Sequence, residues 1–567
     1  MAFHDRSMRN AIKYAAMLLI GLTVLSTTLL SLVPPVDRDA LTHHLYVPKL
    51  YLKHGGMVEL PAIEFSYYPM NLDLLYIIPL FFGNDILPKF IHMMFGLLTA
   101  VFIYCFLVRR INLEMALIGA VFFLTIPVIF RLSFTVYVDL GLIFFSFSSL
   151  FYLFKWAENR FRLHDLILAG LLCGLALGTK YNGLVVFFLL AAAVPLIYSR
   201  MLQLNSTRSS ACPFRLSLAE RLKSEMRTIG YGSLFIVTAL LVFSPWAIRN
   251  MIWQGNPLYP LYVSTVVVQN DTPDITGPKN PPIGRLLKRK LLYDEPMWET
   301  LTVPLRIFFS GQDDNPRYFD GKLNPFLIIL PLFALFYRRH KTPLQKIEEA
   351  CLFIFSILFV IIAFVSSDMR IRYVAPIIAP LTVLSVMGIR DIGLIMLDRF
   401  PVFARKYGKW ITVCICMAFL VPNMVYMADQ FRTVDPVPHI LGHMTGDEYI
   451  QRHRPEYAAI RHINQNLNHD ANILAMFMGR RGYYFDREVR FDDGMLQSIL
   501  QKAARPDDVL DRLKQSGITH LLTHRGLFGA WMADSLNDRE TAILEQTIQK
   551  HLALLFDSDG FVLFEIR

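Results

Sequence analysis

Apolar residues recur along this chain in runs close to twenty long, broken by short polar stretches. As a helix, each run spans roughly 30 Å of hydrocarbon, and in lipid a helix satisfies its own backbone polar groups. The runs fall near residues 11–33, 88–108, 112–131, 138–155, 164–180, 181–198, 229–248, 324–337, 350–366, 372–389 and 410–428. This pattern predicts a polytopic α-helical membrane protein with about 11 transmembrane helices, within a range of 10–13. Two places blur the count. MNLDLLYIIPLFF at 70–82 is short for a span, and a Gly/Lys break at 178–183 divides one apolar stretch.

The polar breaks set the orientation. Short basic loops fall on one side: RRIN at 109–112, KWAENRFR at 155–162, 199–227 ending in RLKSEMR, YRRHK at 337–341 and RKYGK at 405–409. Basic residues in short loops stay in the cytoplasm, as does the N-terminal flank with Arg6, Arg9 and Lys13. The first run is too long for a signal-peptide core and lacks a small-residue cleavage site, so it is expected to remain as an anchor. On the outer side lie a first loop at 34–87, a long loop at 249–323, and a polar tail. In the long loop, PPIGRLLKRKLLY and PLRIFF mix basic and apolar residues, as interfacial helices do. The tail alternates strand-like NILAMF (472–477), GITHLLTH (517–524) and FVLFEI (561–566) with helical stretches such as PDDVLDRLKQ. It is expected to form an extracytoplasmic α/β domain at 430–567, following a membrane domain at 1–429.

Composition agrees: 54% of residues are hydrophobic and 18% charged. The net charge of +10 would suit nucleic acid, but its gathering in short loops argues for membrane topology and against such a partner. Cys105, Cys173, Cys351, Cys414 and Cys416 lie in or near spans and Cys212 in a cytoplasmic loop, with neither a disulfide framework nor zinc spacing. The NST sequon at 205–207 also falls on the cytoplasmic side and is expected to be a chance match.

Chemistry concentrates at the outer helix ends. VDRDALTHHLYVPKLY, residues 36–51, puts two acids and two histidines between apolar runs. A helix over 39–47 stopping at Pro48 would place Asp39 and His43 on one face; Asp39 could equally cap it. Asp139 opens another span, where an acid is either a helix-dipole partner or a functional group. Cations meet the same surface: Lys180 in the Gly/Lys break, Arg370 and Arg372 in SSDMRIRYVAP, and Arg249 in SPWAIRN. Several cations around two carboxylates fit an anion at the interface, most simply a lipid phosphate.

RDALTHHLYVPKLYLKHG (38–55), YYPMNLDLLY (67–76), FTVYVDLGLIFF (134–145), GLALGTKYNGL (174–184), SPWAIRNMIWQGNPLYPLY (244–262) and RYVAPIIAP (372–380) come in an order that resembles the GT-C integral-membrane glycosyltransferases. The closest likeness is to the bacterial branch related to protein O-mannosyltransferases and the lipid A aminoarabinose transferase. The resemblance implies a GT-C type fold and an inverting transfer of a sugar from a polyprenyl phosphate to an acceptor hydroxyl or amine at the outer face of the inner membrane. It makes Asp39, Asp139 and His44 catalytic candidates, and places Lys180, Arg372 and Arg370 at the donor phosphate. Secondary candidates are Asp37, His43 (where many relatives carry tyrosine), Lys49, Tyr137 and Arg249. Asp39 and Asp139 would hold a divalent cation if one takes part. The partners implied are a polyprenyl-phosphate sugar, membrane lipids, and a lipid, glycan or protein acceptor. Two other classes compete: an O-antigen ligase or polymerase using diphosphate-linked glycans, and a transporter or lipid-linked sugar flippase.

Overall fold

The computed structural model describes residues 6–208, 218–262, 289–366 and 369–567. All eleven apolar segments are helical. In chain order they begin with α1 (Arg6–Ser31), after which the first external loop folds into α2 (Tyr46–Lys53) and α3 (Asn71–Phe81). Then come α4 (Leu87–Arg110), α5 (Leu113–Thr125), its short continuation α6 (Pro127–Leu132), α7 (Asp139–Glu158), α8 (Leu163–Leu177), α9 (Gly183–Arg208) and α10 (Leu218–Gln254). The remaining apolar segments form helices Phe326–Phe336, Pro343–Ser366, Ile378–Arg399 and Pro401–Val434. Among the described residues, eight helices are long and apolar enough to cross a membrane, while α5, α8 and Phe326–Phe336 are shorter. The eleven-residue α3 is shorter than a span needs and stays with the first external loop.

Local signals explain several boundaries. Asn112 caps α5, its side chain accepting the Met115 amide at 3.0 Å. Pro127 ends α5 and opens α6, where a missing N–H costs nothing. Two basic residues counted above for orientation are internal. Arg110 pairs with the buried Glu348 at 2.5 Å, and the buried Lys341 contacts Glu349 and Asp391, each at 2.6 Å. They tie the far ends of the helices together.

The tail carries five strands: β1 (Asn472–Met476), β2 (Glu488–Phe491), β3 (His520–His524), β4 (Leu552–Ser558) and β5 (Phe561–Ile566). Their order is β2-β1-β3-β5-β4, parallel from β2 to β3 and antiparallel from β3 to β4. Strand alternation builds two cores. Leu474, Met476 and Leu521 pack on helix residues such as Leu500, Val509 and Leu544, while Ile473, Ala475 and Leu522 pack on Ala459, Ile460 and Ile463. PDDVLDRLKQ is the helix Pro506–Gln515.

In the long loop after α10, short helices at Met297–Leu301 and Val303–Arg306 leave Met297, Trp298, Leu301, Leu305 and Phe309 exposed, as an interfacial segment should. Residues 281–288 of PPIGRLLKRKLLY, Cys212 and the side chain of Asn205 lie outside the described residues.

The Gly/Lys break is a tight turn between α8 and α9. A Cβ at Gly183 would sit 2.4 Å from the Ala176 carbonyl oxygen, a backbone atom that cannot swing aside. Gly183→Ala should therefore cost about 1–3 kcal/mol of stability. Thermal unfolding in nanodiscs checks this, with Gly230→Ala, where a Cβ meets nothing within 4 Å, expected to match wild type.

Candidate active site

The Asp39 segment does not form the helix expected over 39–47. Residues Ala40–His44 form a π-turn, closed by the Leu45 amide donating to the Ala40 carbonyl at 2.9 Å. Pro48 then sits in the first turn of α2, where its missing N–H is no loss, so it does not end the helix. Asp39 makes no side-chain cap; its Oδ2 lies 2.5 Å from Arg372 Nη1. Burial alone would raise the Asp39 carboxyl. The Arg372 charge overrides it and holds the carboxyl well below the ordinary value.

The wide π-turn turns both histidines inward. His43 stacks on Phe65, with centroids 4.3 Å apart, and lies 4.0 Å from the His44 ring. His44 Nδ1 is 2.7 Å from Asp73 Oδ1, both groups being buried. Burial drives this pair toward its neutral form, pushing Asp73 up to about 7 and His44 down to about 3. Burial likewise keeps His43 neutral.

Asp139 is the first residue of α7 and fully buried. Its Oδ1 receives Lys180 Nζ at 2.7 Å, and its Oδ2 is buried without a hydrogen-bond partner. Two devices aim this pair. His92 on α4 accepts the Leu140 amide on Nε2 and donates from Nδ1 to the Thr135 carbonyl, both at 3.0 Å, which fixes its tautomer and the start of α7. On the other side, the Asn71 amide donates to the Gly178 carbonyl at 2.8 Å, and Trp246 Nε1 donates to Asn71 Oδ1 at 2.8 Å, holding the turn that carries Lys180.

Tyr373 joins the two halves. Its ring lies 5.4 Å from Lys180 Nζ and 5.6 Å from the Arg372 guanidinium, and its carbonyl accepts from Asn182 at 3.0 Å. Tyr137 packs against Arg372 at 5.2 Å. Asp39, Asp139, His44, Lys180, Arg372, His43 and Tyr137 therefore form one cluster.

The remaining candidates make contacts of their own. Arg370 reaches Asp320 in the long loop at 3.3 Å. Asp37 interacts electrostatically with Lys89 and Arg454. Lys49 donates to the Tyr483 and Phe485 carbonyls at 2.8 and 2.9 Å, which turns its charge to the C-terminal domain. Arg249 is buried between Trp246 and Trp253, at 4.6 and 5.0 Å, and donates from Nη2 to the Tyr67 carbonyl at 2.6 Å. Its Nη1 is buried without a partner, and among the described residues it pairs with no carboxylate.

Three contributors escaped the sequence reading as site residues: Asp73, His92 and Tyr373. Asp73 had a signal, an acid inside an apolar eleven-residue helix. His92 had one too, a titratable ring inside an apolar span, whereas Tyr373 gave none beyond following Arg372.

Two solved structures match nearly end to end. ArnT from Cupriavidus metallidurans in the apo state aligns over 98% of each chain at 13% identity with a TM-score of 0.56. The same protein bound to undecaprenyl phosphate aligns over 97% of each, at 13% identity and a TM-score of 0.55. The chain has the GT-C fold. Residues 74–211 match the family described as dolichyl-phosphate-mannose-protein mannosyltransferase. Comparison with proteins of curated function gives no match.

Among the described residues, no three His, Cys, Asp or Glu side chains gather as a metal site. Asp39 and Asp139 each face a cationic side chain, so a metal ion there would have to displace Arg372 and Lys180.

His92→Leu should leave the buried Leu140 N–H and Thr135 carbonyl without their partner, at about 1–3 kcal/mol per orphaned group. His92→Gln, which can still accept and donate, should recover most of it. Thermal unfolding of the two variants in nanodiscs measures the difference.

Proposed function

We propose that the chain is an inverting glycosyltransferase that moves a sugar from a polyprenyl phosphate to an acceptor hydroxyl or amine at the outer face of a bacterial inner membrane. The observation that carries this reading is the charge arrangement. Two carboxylates each hold one cation, while Arg249, on the same side of the protein, has no acid partner among the described residues and a buried free donor. A cation of that kind suits a phosphate. ArnT, with the same fold, is known bound to undecaprenyl phosphate. The membrane domain at 1–429 would hold the reaction, with the N-terminus cytoplasmic and the domain at 430–567 periplasmic.

In this mechanism the Asp39 carboxylate takes the proton of the acceptor hydroxyl as its oxygen attacks the anomeric carbon. The bond from that carbon to the phosphate oxygen breaks on the opposite face, so the configuration inverts. Polyprenyl phosphate leaves as an anion and needs charge stabilisation rather than a proton, which Arg249, Lys180 and Arg372 supply. Arg372 has a second effect. While paired with Asp39 it keeps that carboxylate weakly basic; a phosphate that draws Arg372 toward itself returns proton affinity to Asp39. Asp139 holds Lys180 in place and offers its free Oδ2 to the acceptor. The neutral His44–Asp73 pair supports the π-turn beneath Asp39. Asp39, Lys180, Arg372 and Arg249 suffice for these steps, so turnover should persist when a chelator is added to the assay.

Protein in nanodiscs, given polyprenyl-phosphate sugars and envelope acceptors, should release polyprenyl phosphate. Asp39→Asn should lose roughly 10²–10⁴ in rate with donor binding retained. Turnover confined to diphosphate-linked donors would transfer the protein to the ligase class.

The pH dependence follows from the Asp39–Arg372 pair. The base must be ionised, and Arg372 holds its carboxyl below the ordinary range. Wild-type kcat/KM should show no acid limb from Asp39 above the usual carboxylate value. In Arg372→Gln the burial effect is left unopposed, the carboxyl rises, and the acid limb should move to higher pH. Measuring kcat/KM against pH for both proteins decides it.

A further inference from the structure

The C-terminal domain meets the membrane domain at the Asp39 segment, and the contacts fall on both sides of Asp39. Before it, Tyr484 Oη donates to the Pro35 carbonyl at 2.8 Å, and Arg454 Nε donates to the Val36 carbonyl at 2.6 Å. After it, the Tyr483 amide donates to the Leu41 carbonyl at 3.1 Å. A return contact comes from α2, where Lys49 Nζ donates to the Tyr483 and Phe485 carbonyls. Gly482 lies so close to the Tyr46 ring that a Cβ there would come 2.3 Å from a ring carbon.

The loop that makes these contacts is itself braced. Asn464 donates to the Tyr484 carbonyl at 2.9 Å and accepts the Asp486 amide at 3.0 Å, clipping the loop to the helix Tyr457–Asn466. Arg481 pairs with the buried Glu456 at 2.5 Å. The segment that receives the bonds needs such support. Its π-turn is a rare, poorly self-stabilised conformation, and the Leu41 carbonyl that accepts the Tyr483 amide lies within it.

We propose that residues 480–486 of the C-terminal domain are a positioning element of the active centre. They hold the backbone on either side of Asp39 so that its carboxylate meets the acceptor in the right place. This rests on the glycosyltransferase reading above. The loop itself touches no reacting atom; it acts through Asp39.

The test uses the full chain in nanodiscs with two variants. Gly482→Val drives the loop off Tyr46, and Tyr484→Phe removes the single bond to Pro35 while keeping the ring. Displacement of a catalytic group by about 1 Å can cost about 10²-fold in rate. Gly482→Val should therefore lose kcat on that scale with donor KM unchanged, and Tyr484→Phe should show a smaller loss of the same kind. Hydrogen exchange should speed up at the amides of residues 37–45 and remain as in wild type around Asp139.

Wild-type kcat in both Gly482→Val and Tyr484→Phe would overturn the proposal, as would unchanged exchange at 37–45. If Gly482→Val does not fold, Tyr484→Phe and Arg454→Met carry the same two readouts. The exchange measurement needs no substrate, so a wild-type protein without transferase activity would remove the functional reading and still decide whether the loop holds the segment.

Discussion

A carboxylate buried at the head of an apolar helix must have a counter-charge, and much of this architecture follows from that constraint. Asp139 is fully buried, and taking a bare carboxylate out of water costs far more than a single hydrogen bond returns. Lys180 meets the need, but a lysine between two apolar helices has to be delivered by a break in them. The glycines at 178 and 183 make that break, Asn71 pins it, and Trp246 pins Asn71. From the other side His92 fixes the first turn of α7. Moving any of these groups would leave an acid in hydrocarbon without its partner.

The remaining charges are arranged on the same logic. Arg372 is neutralised by Asp39 and flanked by Tyr137 and Tyr373. Arg249 instead lies between two tryptophans, a setting a weakly hydrated guanidinium tolerates and an ammonium does not. Among the described residues, this positive charge is thereby stored in a buried position with no carboxylate paired to it. That stored charge separates a surface able to receive an anion from one whose charges are already balanced.

Much of this was legible in the chain because lipid removes ambiguity. An apolar run of span length has little choice but to be a helix, and acids or cations at the ends of such runs stand out. Asp39, Asp139, Lys180 and Arg372 were visible for that reason. Their pairing was not: which cation neutralises which acid depends on helix rotation, which hydropathy does not encode. The π-turn at 40–44 was hidden as well, since ALTHHL has no residue that forbids an ordinary helix and Pro48 looked like its end. It forms where tertiary contacts outweigh local preference, with His44 drawn to Asp73 and Leu41 to Tyr483. In the tail, β1, β3 and β5 showed as apolar runs, whereas β2 and β4 are edge strands with exposed positions and carry a weaker pattern.

The contact between the first external loop and the end of the chain also orders events in time. A ribosome releases the Asp39 segment early, and the residues that grip it come more than four hundred positions later. Domains made first can fold before the rest emerges, but this segment meets its partner only after the last long helix has been threaded through the bilayer. Until then its π-turn lacks the amide of Tyr483, and the backbone on either side of Asp39 lacks the bonds from Tyr484 and Arg454. A chain cut short within its final domain would carry every membrane helix yet lack the loop that bonds to the backbone on either side of Asp39.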